Sequence, residues 1–165
     1  MTMTIDKEWF CTMVQLYQND LYRLAYHILN NKEDAEDALQ ETLYRAYSSL
    51  ENIRHPKYFK TWITRILLNT SFEIQKKRKP YLDIEDYAET LGSTEKDSLT
   101  ALMMEKTISE LDEKYQKVIL LYYYEDFNIK EISKILDISI LNVKQRLSRS
   151  RKMLKEILTA HEKGV

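Results

Sequence analysis

Asn142, Gln145, Arg149 and Lys152 follow one another at steps of three, four and three residues, the spacing that gathers side chains on one face of a helix. Amide and guanidinium groups can make paired hydrogen bonds to base edges in a DNA major groove. Lys144, Arg146 and Arg151 flank that face, where cations suit phosphates. Val143, Leu147, Ser150, Leu154 and Leu158 recur at the same steps on the opposite side, as a stripe to be buried. Just upstream, a short apolar-periodic helix from Glu131 ends at Asp137-Ile138-Ser139. A short helix, a tight turn and a longer basic helix form the helix-turn-helix pattern. The plain alternative is a solvated charged helix, as most charge runs are.

A second constellation lies in the first half. Trp62, Arg65, Asn69 and Lys76 share a face, away from a stripe of Phe59, Ile63, Ile66, Thr70 and Ile74, and a basic tail of Lys76, Lys77, Arg78 and Lys79 follows. An aromatic ring, a guanidinium and an amide beside basic charge suit single-stranded DNA, where bases stack and phosphates need neutralising. Trp62 at this spacing serves a core as readily as a stacking platform, so Asn69 is the stronger candidate. In a third constellation, Ala35, Ala38, Leu39, Thr42 and Ala46 fill one side of a helix. Asp34, Asp37, Gln40 and Glu41 are left facing outwards. The helix macrodipole favours acids in a first turn, but that explanation reaches poorly to Glu41.

Catalytic and metal chemistry finds no support. His27, His55 and His161 are scattered and lack neighbours at metal-ligand spacing. Two glycines in the whole chain cannot build a dinucleotide or phosphate loop. No nucleophile elbow or zinc-protease helix is visible. The expectation is a protein that is not an enzyme and holds no metal or cofactor.

The elements that must carry these faces are helices. With 165 residues the chain has room for one ordinary domain or two small ones. Its 44% hydrophobic and 31% charged residues are globular, and two glycines with two prolines leave little material for β-turns. The predicted class is all-α. Helices are expected over 5–29, 33–49 and from Pro56 to about Lys79, with Asn30-Asn31 as a break and Pro80 as a stop. Trp9, Phe10, Leu21, Leu24, Leu39, Phe59 and Ile63 supply a core for this first unit. The span 80–101 reads as a linker. A second unit is expected over 102–165, with Asp112 as an N-cap, a stripe of Tyr115, Val118, Ile119 and Tyr122, and Asn128 with Glu131 as a capping box.

The net charge of −1 conceals segregation. Between Arg54 and Lys79 the basic residues meet a single acid, Glu73, whereas Asp83 to Glu113 is strongly acidic and Asn128 to Lys155 is basic again. Two basic blocks divided by an acidic one imply two nucleic-acid contacts joined by a segment that avoids DNA. One cysteine, Cys11, fits a reducing cytoplasm. The longest apolar run, Val118 to Tyr124, is too short to span a bilayer and the N-terminus has no signal-peptide core. A soluble cytoplasmic protein without membrane insertion is expected.

Four motifs in this order resemble the extracytoplasmic-function (ECF) sigma factors. They are Asp34-Ala-Glu-Asp-Ala-Leu-Gln-Glu41, Phe59-Lys-Thr-Trp-Ile-Thr-Arg-Ile-Leu-Leu-Asn69 with its basic tail, Leu111-Asp-Glu-Lys-Tyr-Gln-Lys-Val-Ile119, and the helix-turn-helix. The resemblance implies two helical domains, sigma region 2 over 1–79 and sigma region 4 over 102–165, joined by a flexible acidic linker. It implies that Asp34, Asp37, Gln40 and Glu41 hold core RNA polymerase. It implies that Asn52, Lys57, Lys60, Trp62, Arg65, Asn69, Lys76, Lys77 and Arg78 recognise and open the minus-ten promoter element, the loop from Asn52 to Lys57 accepting a flipped base. The minus-thirty-five element would fall to Asn142, Lys144, Gln145, Arg146, Arg149, Arg151 and Lys152. An anti-sigma factor is a further implied partner.

This chain departs from the family where Asp137 replaces a common glycine and Leu141-Asn142 a common Gly-Thr pair. Asp137 can take the left-handed turn conformation, while Leu141 and Asn142 alter the reading surface. Two other readings stay open on sequence: a free-standing helix-turn-helix regulator, and a helical adaptor for acidic partners. The first leaves the acidic and aromatic-basic helices idle; the second leaves the base-reading face unexplained.

Overall fold

A computed structural model describes residues 4–78 and 103–164, all the elements within them helical. The chain divides into two compact units at Pro80/Tyr81. The predicted linker over 80–101, the stop at Pro80 and the expected start of the second unit near Leu102 lie outside the described residues.

In the first unit, the Asp6 carboxylate accepts the Trp9 backbone N–H at 2.9 Å and starts α1, Lys7–Leu29. Asn30 ends it in the left-handed conformation (φ 54°), which asparagine tolerates better than most residues. Asn31 then caps α2, Lys32–Ser48, by accepting the Asp34 N–H at 2.9 Å. The predicted break is thus two caps back to back. Pro56 opens a 3₁₀ turn rather than the α-helix expected of it, and α3 runs Phe59–Lys77.

Phe59 is the centre of this unit, fully buried. Trp9 meets its ring edge-on at 5.3 Å, and Phe10 and Tyr17 approach at 6.0 and 6.1 Å. Of the predicted core only Leu39 is half-buried. α2 makes its contact through Ala35, Ala38, Thr42 and Ala46, all fully buried, and these small side chains leave Leu39 at the rim. The buried face of α3 is wider than one stripe: Leu67, Leu68, Ser71 and Phe72 are buried, while Ile66 and Ile74 are half-exposed. α3 packs on both α1 and α2, so burial extends around it from two sides.

In the second unit, residues 103–109 are helical and lead through a turn into α4, Glu113–Ile119, which widens into a π-helical turn at Leu120–Tyr124. Asp112 occupies the cap position, but its side chain caps nothing. The buried Gln116 amide holds that turn instead, donating to the carbonyls of Leu111 at 2.6 Å and Ser109 at 3.2 Å. Asn128 and Glu131 form a reciprocal capping box at 2.8 and 2.9 Å at the start of α5, Ile129–Leu136. Asp137 follows in the left-handed conformation (φ 54°), and Ser139 caps α6, Ile140–Lys163, by accepting the Asn142 N–H at 3.1 Å.

Ile132, Ile135, Val143 and Leu147 lock α5 onto α6, with Val118 and Leu121 beneath. Burying each such side chain is worth about 1.5–3 kcal/mol. Ser150 lies in the same stripe, fully buried, its hydroxyl returned to the Arg146 carbonyl. Leu154 and Leu158 continue the stripe only half-buried, along an open apolar hollow of about 600 Å³ that they share with Met104, Ile108 and Tyr123.

Candidate nucleic-acid and protein-binding surfaces

The locked back of α6 fixes what its front presents. Asn142, Gln145, Arg149 and Lys152 are exposed on one face, and Lys144 and Arg151 are exposed beside them. Arg146 is half-buried. Ile140 and Leu141 are 45% and 64% exposed at the start of the helix, apolar side chains suited to a thymine methyl group. Arg151 differs from its neighbours because it already has a partner. Its Nε donates to Tyr123 Oη at 2.6 Å, and its guanidinium lies 5.7 and 5.6 Å from the ring centres of Tyr122 and Tyr123. The sequence pattern placed Arg151 on a phosphate-facing flank and did not reveal this tie to the π-helical turn. Burial raises the pKa of the neighbouring Tyr124 hydroxyl above its ordinary value, with Glu105 adding to the effect.

On α3, Arg65, Asn69, Lys76 and Lys77 are exposed and Trp62 is half-buried. The Trp62 ring leans on Phe59 at 6.0 Å and 45°, so one part of it belongs to the core and the remainder to the surface. Asn52 and Lys57 are exposed in the loop that precedes α3. Lys57 Nζ lies 5.0 Å from the centre of the Tyr58 ring, and Lys60 Nζ lies 5.7 Å from that of Tyr17. Tyr58 is 40% exposed, with His55 packed edge-on against it at 5.9 Å. Tyr17 and Tyr58 were not singled out by the sequence, and His55 entered only as part of the loop from Asn52 to Lys57. Tyr58 and His55 had a readable signal, aromatic rings interleaved with lysines; Tyr17 comes from α1 and had none.

On α2, Asp37, Gln40 and Glu41 are exposed. With Tyr44 and Ile74 they line an open hollow of about 560 Å³. Tyr44, 70% exposed, was also missed, although it lies four residues after Gln40 and three after Glu41. Asp34 behaves differently from the other acids. It is half-buried and accepts from Arg78 Nε at 2.8 Å, while Arg78 Nη1 donates to the Leu29 carbonyl at 2.6 Å. Gln75 makes the same kind of bond to the Ile28 carbonyl at 3.1 Å. The end of α3 therefore satisfies carbonyls left open at the end of α1. Two residues assigned from sequence to separate surfaces, Asp34 and Arg78, meet each other.

Arg45 bridges the same two helices further along. It donates to Glu41 at 2.9 Å, to Thr70 Oγ1 at 3.2 Å and to Glu73 at 3.0 Å. The hydrogen bonds with Glu73 and then Glu41 raise the guanidinium pKa above its ordinary value, so its charge is constant. Among the described residues no group of His, Cys, Asp and Glu could hold a metal ion. No helix there is long and apolar enough to cross a membrane.

Comparison with known proteins agrees with this arrangement. Residues 13–79 match the Sigma-70 region 2 family and residues 101–154 match Sigma-70 region 4. The chain is 34% identical to the ECF RNA polymerase sigma factor SigW of Bacillus subtilis over 93% of its own length and 90% of the relative's. It is 33% identical to the ECF RNA polymerase sigma factor SigM of the same organism, over 94% and 95%. Two solved structures share the fold, each at 22% identity. CnrH in complex with the cytosolic domain of CnrY superposes with a TM-score of 0.73 over 94% of this chain and 90% of that one. RpoE of Bartonella quintana in complex with the anti-sigma factor NepR gives 0.71 over 91% and 96%. A chain that is helical through its described residues, carries both sigma regions in order and is over 30% identical to such relatives along nearly its whole length belongs to the ECF RNA polymerase sigma factors, alternative sigma factors that direct transcription initiation.

Proposed function

We propose that the described faces divide the work of a sigma factor as follows. Residues 1–79 act as region 2, 80–101 as a linker and 102–165 as region 4. Asp37, Gln40 and Glu41, with Tyr44 beside them, take the basic groups of core RNA polymerase, and Asp34 borders that surface. Arg65, Asn69, Lys76 and Lys77, with the exposed part of Trp62, read and open the minus-ten element, while Asn52, Lys57 and Lys60 border the flipped-base pocket. Asn142, Gln145 and Arg149 meet base edges of the minus-thirty-five element, and Lys144, Arg146 and Lys152 meet phosphates.

The observation that carries this reading is the segregation on α6, where every candidate base-reading side chain is exposed over a fully buried Val143–Leu147–Ser150 back. The protein contributes binding and positioning, has no catalytic residue of its own and works in the cytoplasm beside polymerase. An anti-sigma factor is a further proposed partner, as the RpoE–NepR complex suggests. The test is a mobility shift on promoter duplex with and without core polymerase. A specific shift that requires core supports the assignment; an equally specific shift by the protein alone makes it a free-standing regulator.

A further inference from the structure

The polymerase-facing and DNA-facing surfaces of the first unit lie on adjacent helices, and Arg45 touches both. Its Nε holds Glu41 on α2, while Nη1 and Nη2 hold Thr70 and Glu73 on α3. Glu73 follows Asn69 by four residues and precedes Lys76 by three, on the exposed face that also carries Arg65. It is the single acid between Arg54 and Lys79. A bare carboxylate there would repel DNA phosphates within a Debye length, about 8 Å at physiological salt. The side chains of Arg45, Glu41 and Glu73 are 40%, 47% and 51% exposed, and ion pairs that open add little to stability. Stability alone is therefore a weak reason for one guanidinium to span three acceptors.

We propose that Arg45 is a positioning residue that neutralises Glu73 on the DNA-facing helix while holding Glu41 on the polymerase-facing helix, and so couples the two faces. The inference rests on the assignment of those faces given above. One cation shared between two carboxylates leaves the trio with a net charge of −1. A polymerase cation arriving at Glu41 supplies the missing charge. The guanidinium then belongs to Glu73 and Thr70, and the DNA-facing helix loses its residual repulsion as core binds.

The test uses holoenzyme reconstituted with R45A, E73Q, R45A/E73Q or R45K on a promoter carrying 2-aminopurine in its minus-ten element. Fluorescence reports opening, and titration of labelled protein reports core affinity. R45A is expected to slow opening about three- to fivefold, the upper range for loss of a half-exposed charge partner. Adding E73Q restores the rate to within about twofold of wild type, and R45K, which keeps the cation but loses the three-way fork, falls between R45A and wild type. Core affinity is expected not to fall in R45A or R45A/E73Q, because an arriving polymerase cation no longer has to displace the guanidinium from Glu41.

Normal opening in R45A, a double variant no faster than R45A, or R45K as slow as R45A would each overturn the proposal. If R45A melts below the assay temperature, R45M takes its place, since it keeps a packed stem without the charge. Failure of the underlying face assignment reads out separately. It would appear as wild-type opening in N69A, or as wild-type core binding when Asp37 and Glu41 are both changed to lysine.

Discussion

The two units organise their functional side chains in opposite ways. In the second unit, the elements that present α6 are secured locally. Asn128 and Glu131 cap each other across three residues, Asp137 turns the chain and Ser139 caps Asn142. The side chains proposed to read bases, Asn142, Gln145 and Arg149, stand exposed on this scaffold. In the first unit, contacts between residues far apart in sequence hold the functional groups themselves. Arg45 reaches Thr70 and Glu73 across 25 and 28 residues, and Arg78 reaches Leu29 across 49. Region 4 is built as a rigid display. Region 2 has several of its charges, Asp34, Glu41, Glu73 and Arg78 among them, already paired within the protein, so binding at those residues requires an exchange of partners.

The sharpest challenge to that comparison is to reverse charge on the paired side. Changing Asp37 and Glu41 together to lysine is expected to abolish core binding while leaving helical content intact. Titration with core polymerase and circular dichroism check the two halves of that statement. Normal transcription by the double variant would remove the α2 face from the assignment.

A smaller effect is expected on the display side. Arg149→Ala and Gln145→Ala should each relax selectivity at particular upstream base pairs by about 1–3 kcal/mol. Lys144→Ala should weaken binding to all sequences alike and lower the salt slope by about one. Holoenzyme binding to a set of single-base promoter variants at several salt concentrations separates these patterns. Uniform losses for all three would mean that α6 grips only the backbone.

The smallest effect marks where the display side borrows the logic of the other. Arg151 is tied to Tyr123 and stacked near Tyr122, so its replacement by alanine should cost stability as well as DNA contact. Thermal melting should fall by the equivalent of about 1 kcal/mol, the scale of an exposed cation–aromatic contact, while the salt slope changes less than in Lys144→Ala. A full change in salt slope with no change in melting would place Arg151 among the free phosphate contacts.

Much of the fold was legible because its signals are short-ranged. Caps, left-handed turn residues and apolar stripes act within one or two helical turns, so Asn31, Asn128, Asp137 and the Val143–Leu147–Ser150 stripe could be read directly. Asp112 misled because a cap residue type guarantees the position, not the bond; the buried amide of Gln116 took over the turn. Leu39 misled because periodicity selects a face but not its edge, and the alanines of α2 met the neighbouring helices first.

The sequence by itself determined the class, the order of the helices and which faces carry acids, aromatics and bases. Those properties follow from residue type and helical period, and neither depends on what a helix packs against. Only the tertiary structure decided which of those charges are already engaged. The pairing of Asp34 with Arg78 and the sharing of Arg45 between Glu41 and Glu73 depend on how α1, α2 and α3 cross. Hydrogen bonding acts within about 3 Å, a separation between distant residues that helix packing sets and local spacing cannot.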